Sequence, residues 1–228
     1  MAQFAGAVWA DTGLKRLTLR QDSLGWEAVG RVELAEEGYC SGALIATDLV
    51  LTAAHCLFDP RTGKRADPTK MSFRAGLSDG NSIAESAVAR AVVHPEYHPR
   101  DRDGLRQLVS DVALLQLAQP IPAATAAPFF DTAQVREGDA VSVVSYAQGR
   151  SEALSWQEKC KVLGRGSGAL MFSWDVNFGS SGAPVFDMSH GRGRIVSIIS
   201  RGRRENGKVT VFGTQIAGPL ATLKRAGV

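Results

Sequence analysis

No apolar run in this sequence approaches the roughly 20 residues that a membrane-crossing helix needs. Charge of one sign is scarce: 26 basic against 23 acidic residues leave a formal net charge of +3. That surplus is too small to make nucleic acid or a membrane surface the expected partner. Met1 to Ala10 lack both a basic segment and a long apolar one, so they are not expected to be an intact signal peptide. Cysteine is nearly absent, with Cys40, Cys56 and Cys160 the whole complement. Three cannot all pair internally, and one disulfide with one thiol left over is the simplest arrangement. Internal repeats and low-complexity tracts are also missing.

What is present suits a packed β protein. The 228 residues, 44% apolar, suffice for one large all-β domain or for two small barrels sharing an interface. A charged fraction of 21% argues against wholesale disorder. Short runs rich in Val, Ile and Leu recur between turn residues. Strands are expected at 28–34, 40–45, 50–52, 71–75, 87–93, 112–117, 140–145, 161–163, 195–200 and 209–214. Many short strands without alternating long helices point to an antiparallel barrel or sandwich. Gln119-Pro120-Ile121-Pro122 reads as an extended connector, because two prolines in three residues do not fit a central strand. It divides the chain into an expected N-terminal barrel (1–118) and C-terminal barrel (119–228). Leu220 and Leu223, followed by Lys224 and Arg225, predict a short helix over 218–226.

Three segments carry chemistry. In the first, two strand-like runs between Cys40 and Thr52 lead into the small-residue turn Thr52-Ala-Ala-His55-Cys56. In the second, Asp111 opens the apolar run Val112–Leu117. A carboxylate among apolar side chains needs a partner, and an imidazole N–H is a suitable one. In the third, Gly179-Ser180-Ser181-Gly182-Ala183-Pro184 has glycines where a tight turn could expose a serine hydroxyl and aim backbone N–H groups at one point.

These segments resemble the histidine, aspartate and serine motifs of the trypsin/chymotrypsin family, in that family's chain order. The third is most similar to the Gly-x-Ser-Gly-x-Pro-Val form of its bacterial branch. Trp26–Val32 likewise resembles the opening strand of bacterial glutamyl-endopeptidase-like members. The likeness runs from about Trp26 to the C-terminus. It implies two antiparallel, chymotrypsin-like β-barrels with a short C-terminal helix. It implies a serine endopeptidase acting on polypeptides, with His55, Asp111 and Ser181 as catalytic triad and the N–H groups of Gly179 and Ser181 as oxyanion hole. Cys40 and Cys56 would form a disulfide pinning the His55 turn. Ser200 and Gly202 would offer backbone to an extended substrate. No metal or cofactor is implied, a monomer is expected, and the disulfide suggests a periplasmic or secreted protein.

The sequence also departs from the family. Ser180 stands where trypsin-like enzymes carry the aspartate that pairs with a freed N-terminal ammonium, so that activation switch is not expected. Asp175 occupies the position of the acidic base of the primary specificity pocket, which would favour Arg or Lys at the cleavage site. Arg201 and Arg203 follow the pocket strand, and either could neutralise it. Ile199 stands where glutamate-preferring relatives carry a pocket histidine, so glutamate preference is not expected. Trp174 stands where some relatives carry the cysteine that pairs with one like Cys160, so Cys160 is expected to be a buried thiol outside any disulfide. His94 and His98 have zinc-like spacing, but Pro95 and Pro99 break any helix there and a loop is expected. The alternative from another class is a catalytically silent homologue that binds peptides in the same cleft.

Overall fold

A computed structural model describes residues 14–35, 38–129, 133–147, 149–173, 180–205 and 208–226. A short strand β1 (Leu14–Arg16) precedes six strands, β2 (Val29–Glu33), β3 (Tyr39–Ala46), β4 (Leu49–Thr52), β5 (Ser72–Ala75), β6 (Ala84–Val93) and β7 (Ala113–Leu117). These six close into an antiparallel barrel in the order β2-β3-β4-β7-β6-β5. Closure removes the exposed edges that an open sheet would present. Along β5, buried Phe73 and Ala75 alternate with half-exposed Ser72 and Arg74, the period-two signature of a wall with one face inward.

Six more strands build the second barrel: β8 (Ala140–Ala147), β9 (Arg150–Gly166), β10 (Ala169–Ser173), β11 (Pro184–Asp187), β12 (Arg194–Glu205) and β13 (Lys208–Gln215). Their order is β9-β10-β13-β12-β11-β8, and pairing of β8 with β9 closes the ring. β1 pairs with β9 through Leu14↔Gln157 and Arg16↔Ser155. The C-terminal helix α2 (Ala217–Arg225) buries Leu220 and Leu223 and carries Lys224 and Arg225 in its last turn, one residue earlier than the sequence indicates.

The expected strands are present, and the structure adds to them. β9 runs far beyond the expected 161–163 because its Ser, Glu, Gln and Lys residues mask the apolar period. β1, β10 and β11 were too short or too close to Gly and Pro to read. Residues 94–99 form the expected loop, and a short helix, α1 (Gly104–Val109), follows it before Asp111. Asp103 caps it, its carboxylate accepting the N–H groups of Leu105 at 3.0 Å and Arg106 at 3.1 Å.

The Pro-rich connector lies along the first barrel, with Ile121 N–H donating to Thr47 O at 2.7 Å and Phe129 N–H to Leu44 O at 2.9 Å. Phe129 then joins an aromatic seam. Its ring centroid is 4.7 Å from Phe186 and 6.3 Å from Trp26; Trp26 in turn lies 5.0 Å from Phe186 and 5.8 Å from Trp156. One core cluster runs continuously from first-barrel residues such as Leu44 and Val50 to second-barrel residues such as Phe186 and Ile198. Tyr146 crosses the same junction and donates its hydroxyl to Leu77 O at 3.1 Å. The two barrels therefore share buried apolar surface and hydrogen bonds.

Candidate active site

The fully buried strand β4 ends at Thr52. Ala53 is extended, and a single 3-10 turn, Ala54–Leu57, carries His55. Phe58 N–H closes that turn on His55 O at 3.1 Å. Cys56, in the same turn, is disulfide-bonded to Cys40 of β3, with Cα atoms 6.3 Å apart. The turn is thus fastened covalently to the neighbouring strand, as expected. Cys160 is buried in the second barrel and outside any disulfide.

Asp111 enters from α1. Ser110 caps that helix through its backbone N–H, and Asp111 N–H reaches Leu108 O. The carboxylate, 3% exposed, grips His55 twice. Oδ1 accepts the His55 backbone N–H at 2.8 Å, and Oδ2 lies 2.7 Å from ring Nδ1. Two anchor points fix the position of the residue and the direction of its ring, leaving Nε2 clear of the carboxylate. Burial alone would push the Asp111 carboxyl up. The His55 charge and the hydrogen bonds from His55 and Ser200 outweigh it and hold the carboxyl below its ordinary value. Burial would likewise lower His55, but the Asp111 carboxylate prevails over both burial and the positive Arg201, and the imidazole is raised.

Ser200 also donates its hydroxyl to Asp111 Oδ2. The register of β12 against β13 slips between Ile199 and Arg201. Such a bulge re-aims side chains, and here consecutive residues Ser200 and Arg201 both line the groove beside His55. The sequence suggested only a backbone role for Ser200; its hydroxyl on the buried carboxylate was not legible.

Ser181 sits in a tight turn. Ala183 N–H donates to Ser180 O at 2.9 Å, Gly182 N–H to Ile199 O at 2.8 Å, and Ser41 N–H to Ser181 O at 2.8 Å. Gly182 has φ +73°, the region that glycine adopts without steric cost. A Cβ at this position would collide with Ser41 O and Thr52 Oγ1 and lie 3.1 Å from Ala53 N. The serine-bearing turn is therefore seated against the end of β4, where the chain leads into His55. Ser41 and Thr52 form this seat, the Thr52 hydroxyl donating to Ser41 O at 2.8 Å. Ser41 did not stand out in the sequence, and Thr52 did so only as the first residue of the His55 turn. Ser180 donates its hydroxyl to Ser145 Oγ at 3.1 Å, so a neutral contact within the second barrel occupies the site of the family's aspartate. Gly202 is exposed on β12. Asp175 and Gly179 lie outside the described residues.

A groove of about 290 Å³ opens beside His55, walled by Tyr97, Asp111, Ser200 and Arg201. Among the described residues, the one grouping of potential metal ligands is Cys40, Cys56 and His55. The two sulfurs are bonded to each other, which removes the thiolates that a metal would need. His94 is buried, and its ring Nδ1 accepts the Glu96 N–H at 3.4 Å.

Comparison with known proteins supplies the family. Residues 40–197, more than half of the chain, match the trypsin-like peptidase domain. The chain belongs to the trypsin-like peptidase family. Serine protease 56 of Homo sapiens is 31% identical over 107 residues, covering 45% of this chain and 16% of that protein. Trypsin of Phaedon cochleariae is 32% identical over 84 residues, covering 36% of this chain and 29% of that protein. The trypsin-like peptidase described here thus matches less than a third of the length of either relative. A Glu endopeptidase structure solved in complex with MPD superposes with a TM-score of 0.77 at 17% identity, covering 95% of this chain and 97% of that one. At that identity the likeness is one of fold, and it extends over both barrels of this trypsin-like peptidase.

Proposed function

We propose that this trypsin-like peptidase is a serine endopeptidase that hydrolyses peptide bonds through an acyl-enzyme, with His55, Asp111 and Ser181 as its catalytic triad. One observation carries the reading. The Ser181–Gly182 turn is pressed against Thr52 and Ala53, at the strand end that delivers an imidazole already held at Nδ1 by a buried carboxylate. In this reading His55 Nε2 takes the proton of the Ser181 hydroxyl as the oxygen attacks the substrate carbonyl. Asp111 keeps the proton on Nδ1 and stabilises the imidazolium. The N–H groups of Gly179 and Ser181 hold the oxyanion. His55 then passes its proton to the departing amine, and water, activated by the same imidazole, releases the acyl group. Ser200 and Gly202 present backbone to the extended substrate.

Asp175, at the sequence position where trypsin-like enzymes carry the acidic base of the primary pocket, gives the reading a preference for Arg or Lys. The buried Cys40–Cys56 disulfide supports a secreted or periplasmic site of action. A fluorophosphonate probe tests the chemistry: the unmutated protein should be labelled and Ser181→Ala should not. Absence of labelling would favour a peptide-binding homologue. Initial rates on matched Arg, Glu and Phe chromogenic peptides test the preference; equal or faster cleavage after Phe overturns it.

A further inference from the structure

The groove beside His55 offers guanidinium N–H groups to an incoming anion. Arg201 and Arg100 stand on its walls, both exposed. Neither guanidinium has a carboxylate partner among the described residues. Arg201 donates to Gly104 O at 2.8 Å, and Arg100 to Arg61 O at 3.0 Å. A carbonyl oxygen orients a guanidinium but leaves its charge uncompensated and other N–H groups available. The groove's own carboxylates, Asp111 and Asp59, bond to other donors. Asp111 is taken by His55 and Ser200. Asp59 accepts the backbone N–H groups of Arg61 at 2.7 Å and Thr62 at 2.8 Å within its own turn. The bulge at Ser200 is what brings Arg201 to this wall.

Resting on the endopeptidase reading, we infer that this groove is a subsite for an acidic side chain of the substrate, held chiefly by Arg201 with Arg100 also on its wall. Its place in the substrate follows from strand geometry. A peptide extended along Ser200–Gly202 alternates its side chains between faces. The residue whose carbonyl is attacked fills the primary pocket. The residue before it points the other way, over His55 and into this groove. Aspartate or glutamate there meets the planar guanidinium fork suited to a carboxylate. Lysine there meets like charge.

The test uses three chromogenic peptides with the best-cleaved residue at the scissile position and Asp, Ala or Lys immediately before it. The unmutated enzyme should cleave the Asp peptide with kcat/KM about fivefold above the Ala peptide, the scale of one solvent-accessible ion pair, and the Lys peptide more slowly than either. Arg201→Lys should retain the order, Arg201→Glu should reverse it, and Arg100→Ala should reduce the Asp advantage. The gain should shrink as salt is raised. Equal rates on all three peptides, or an order unchanged in Arg201→Glu, overturn the subsite. So does failure to cleave any of them. In each case fluorophosphonate labelling of Ser181 leaves the endopeptidase reading standing; without labelling, both fall.

Discussion

Ser200 and Asp111, 89 positions apart in the chain, meet where the two barrels adjoin, the serine hydroxyl donating to the carboxylate oxygen that also faces the His55 ring. A carboxylate this deeply buried is costly unless its lone pairs are used. In the proposed mechanism Ser200 is thus a positioning residue that acts through Asp111. Ser200→Ala should lower kcat/KM about tenfold, the scale of one hydrogen bond to a charged group, and should let the Asp111 carboxyl rise. Unaltered kinetics across the pH range in the variant would refute this role.

The His55–Asp111 pair also sets a pH dependence. With His55 as the proposed general base, which must be neutral to act, activity should be lost as pH falls through the imidazole value. Because His55 is raised, the acid limb of kcat/KM should lie above the ordinary value of about 6.5. Asp111→Asn removes the group that raises it, leaving burial and Arg201 to lower it. The limb should move to lower pH while the rate falls by roughly four orders of magnitude.

Stability follows the same pair with opposite signs at its two ends. The raised imidazole contributes stability that is fully present below its unfolded value and lost as pH rises through its folded one. The depressed carboxyl contributes stability present above its unfolded value and lost as pH falls through its folded one. The melting temperature of the unmutated protein should therefore exceed that of Asp111→Asn most between about pH 4 and 6.5. A constant difference from pH 3 to 9 would contradict this.

Gly182→Ala should abolish fluorophosphonate labelling and destabilise the fold by about 2 kcal/mol or more. The new methyl has no room between Ser41 O and Thr52 Oγ1, and φ is +73°. Chemical denaturation measures the second effect. A variant of unmutated stability and labelling would mean that the seat yields.

Much of this site was legible because its pieces are local. The turn bearing His55, the aspartate just ahead of β7 and the glycines around Ser181 each lie within a few consecutive residues, and the apolar runs of the first barrel kept their period. What could not be read depended on contacts between distant segments. The slip in β12 that turns both Ser200 and Arg201 into the groove exists only against β13. The seat that Ser41 and Thr52 make for Gly182 exists only when the barrels meet. α1 was missed for another reason: six residues give too little periodicity.

Replacing Cys40 and Cys56 by serine should cost about 3 kcal/mol, from the loop of 16 positions that their bond closes. Thermal unfolding with and without reductant measures this for the unmutated protein, and the double variant should be insensitive to reductant. Equal melting temperatures would locate the fastening of the His55 turn elsewhere, with the Asp111 contacts as the remaining tether.

The aromatic seam of Trp26, Phe129, Trp156 and Phe186 bears on what such an enzyme could digest. Jaws welded at the root do not gape, so a well-folded target would have to supply the slack itself, presenting a tail, a linker or a frayed loop already drawn out into a ribbon.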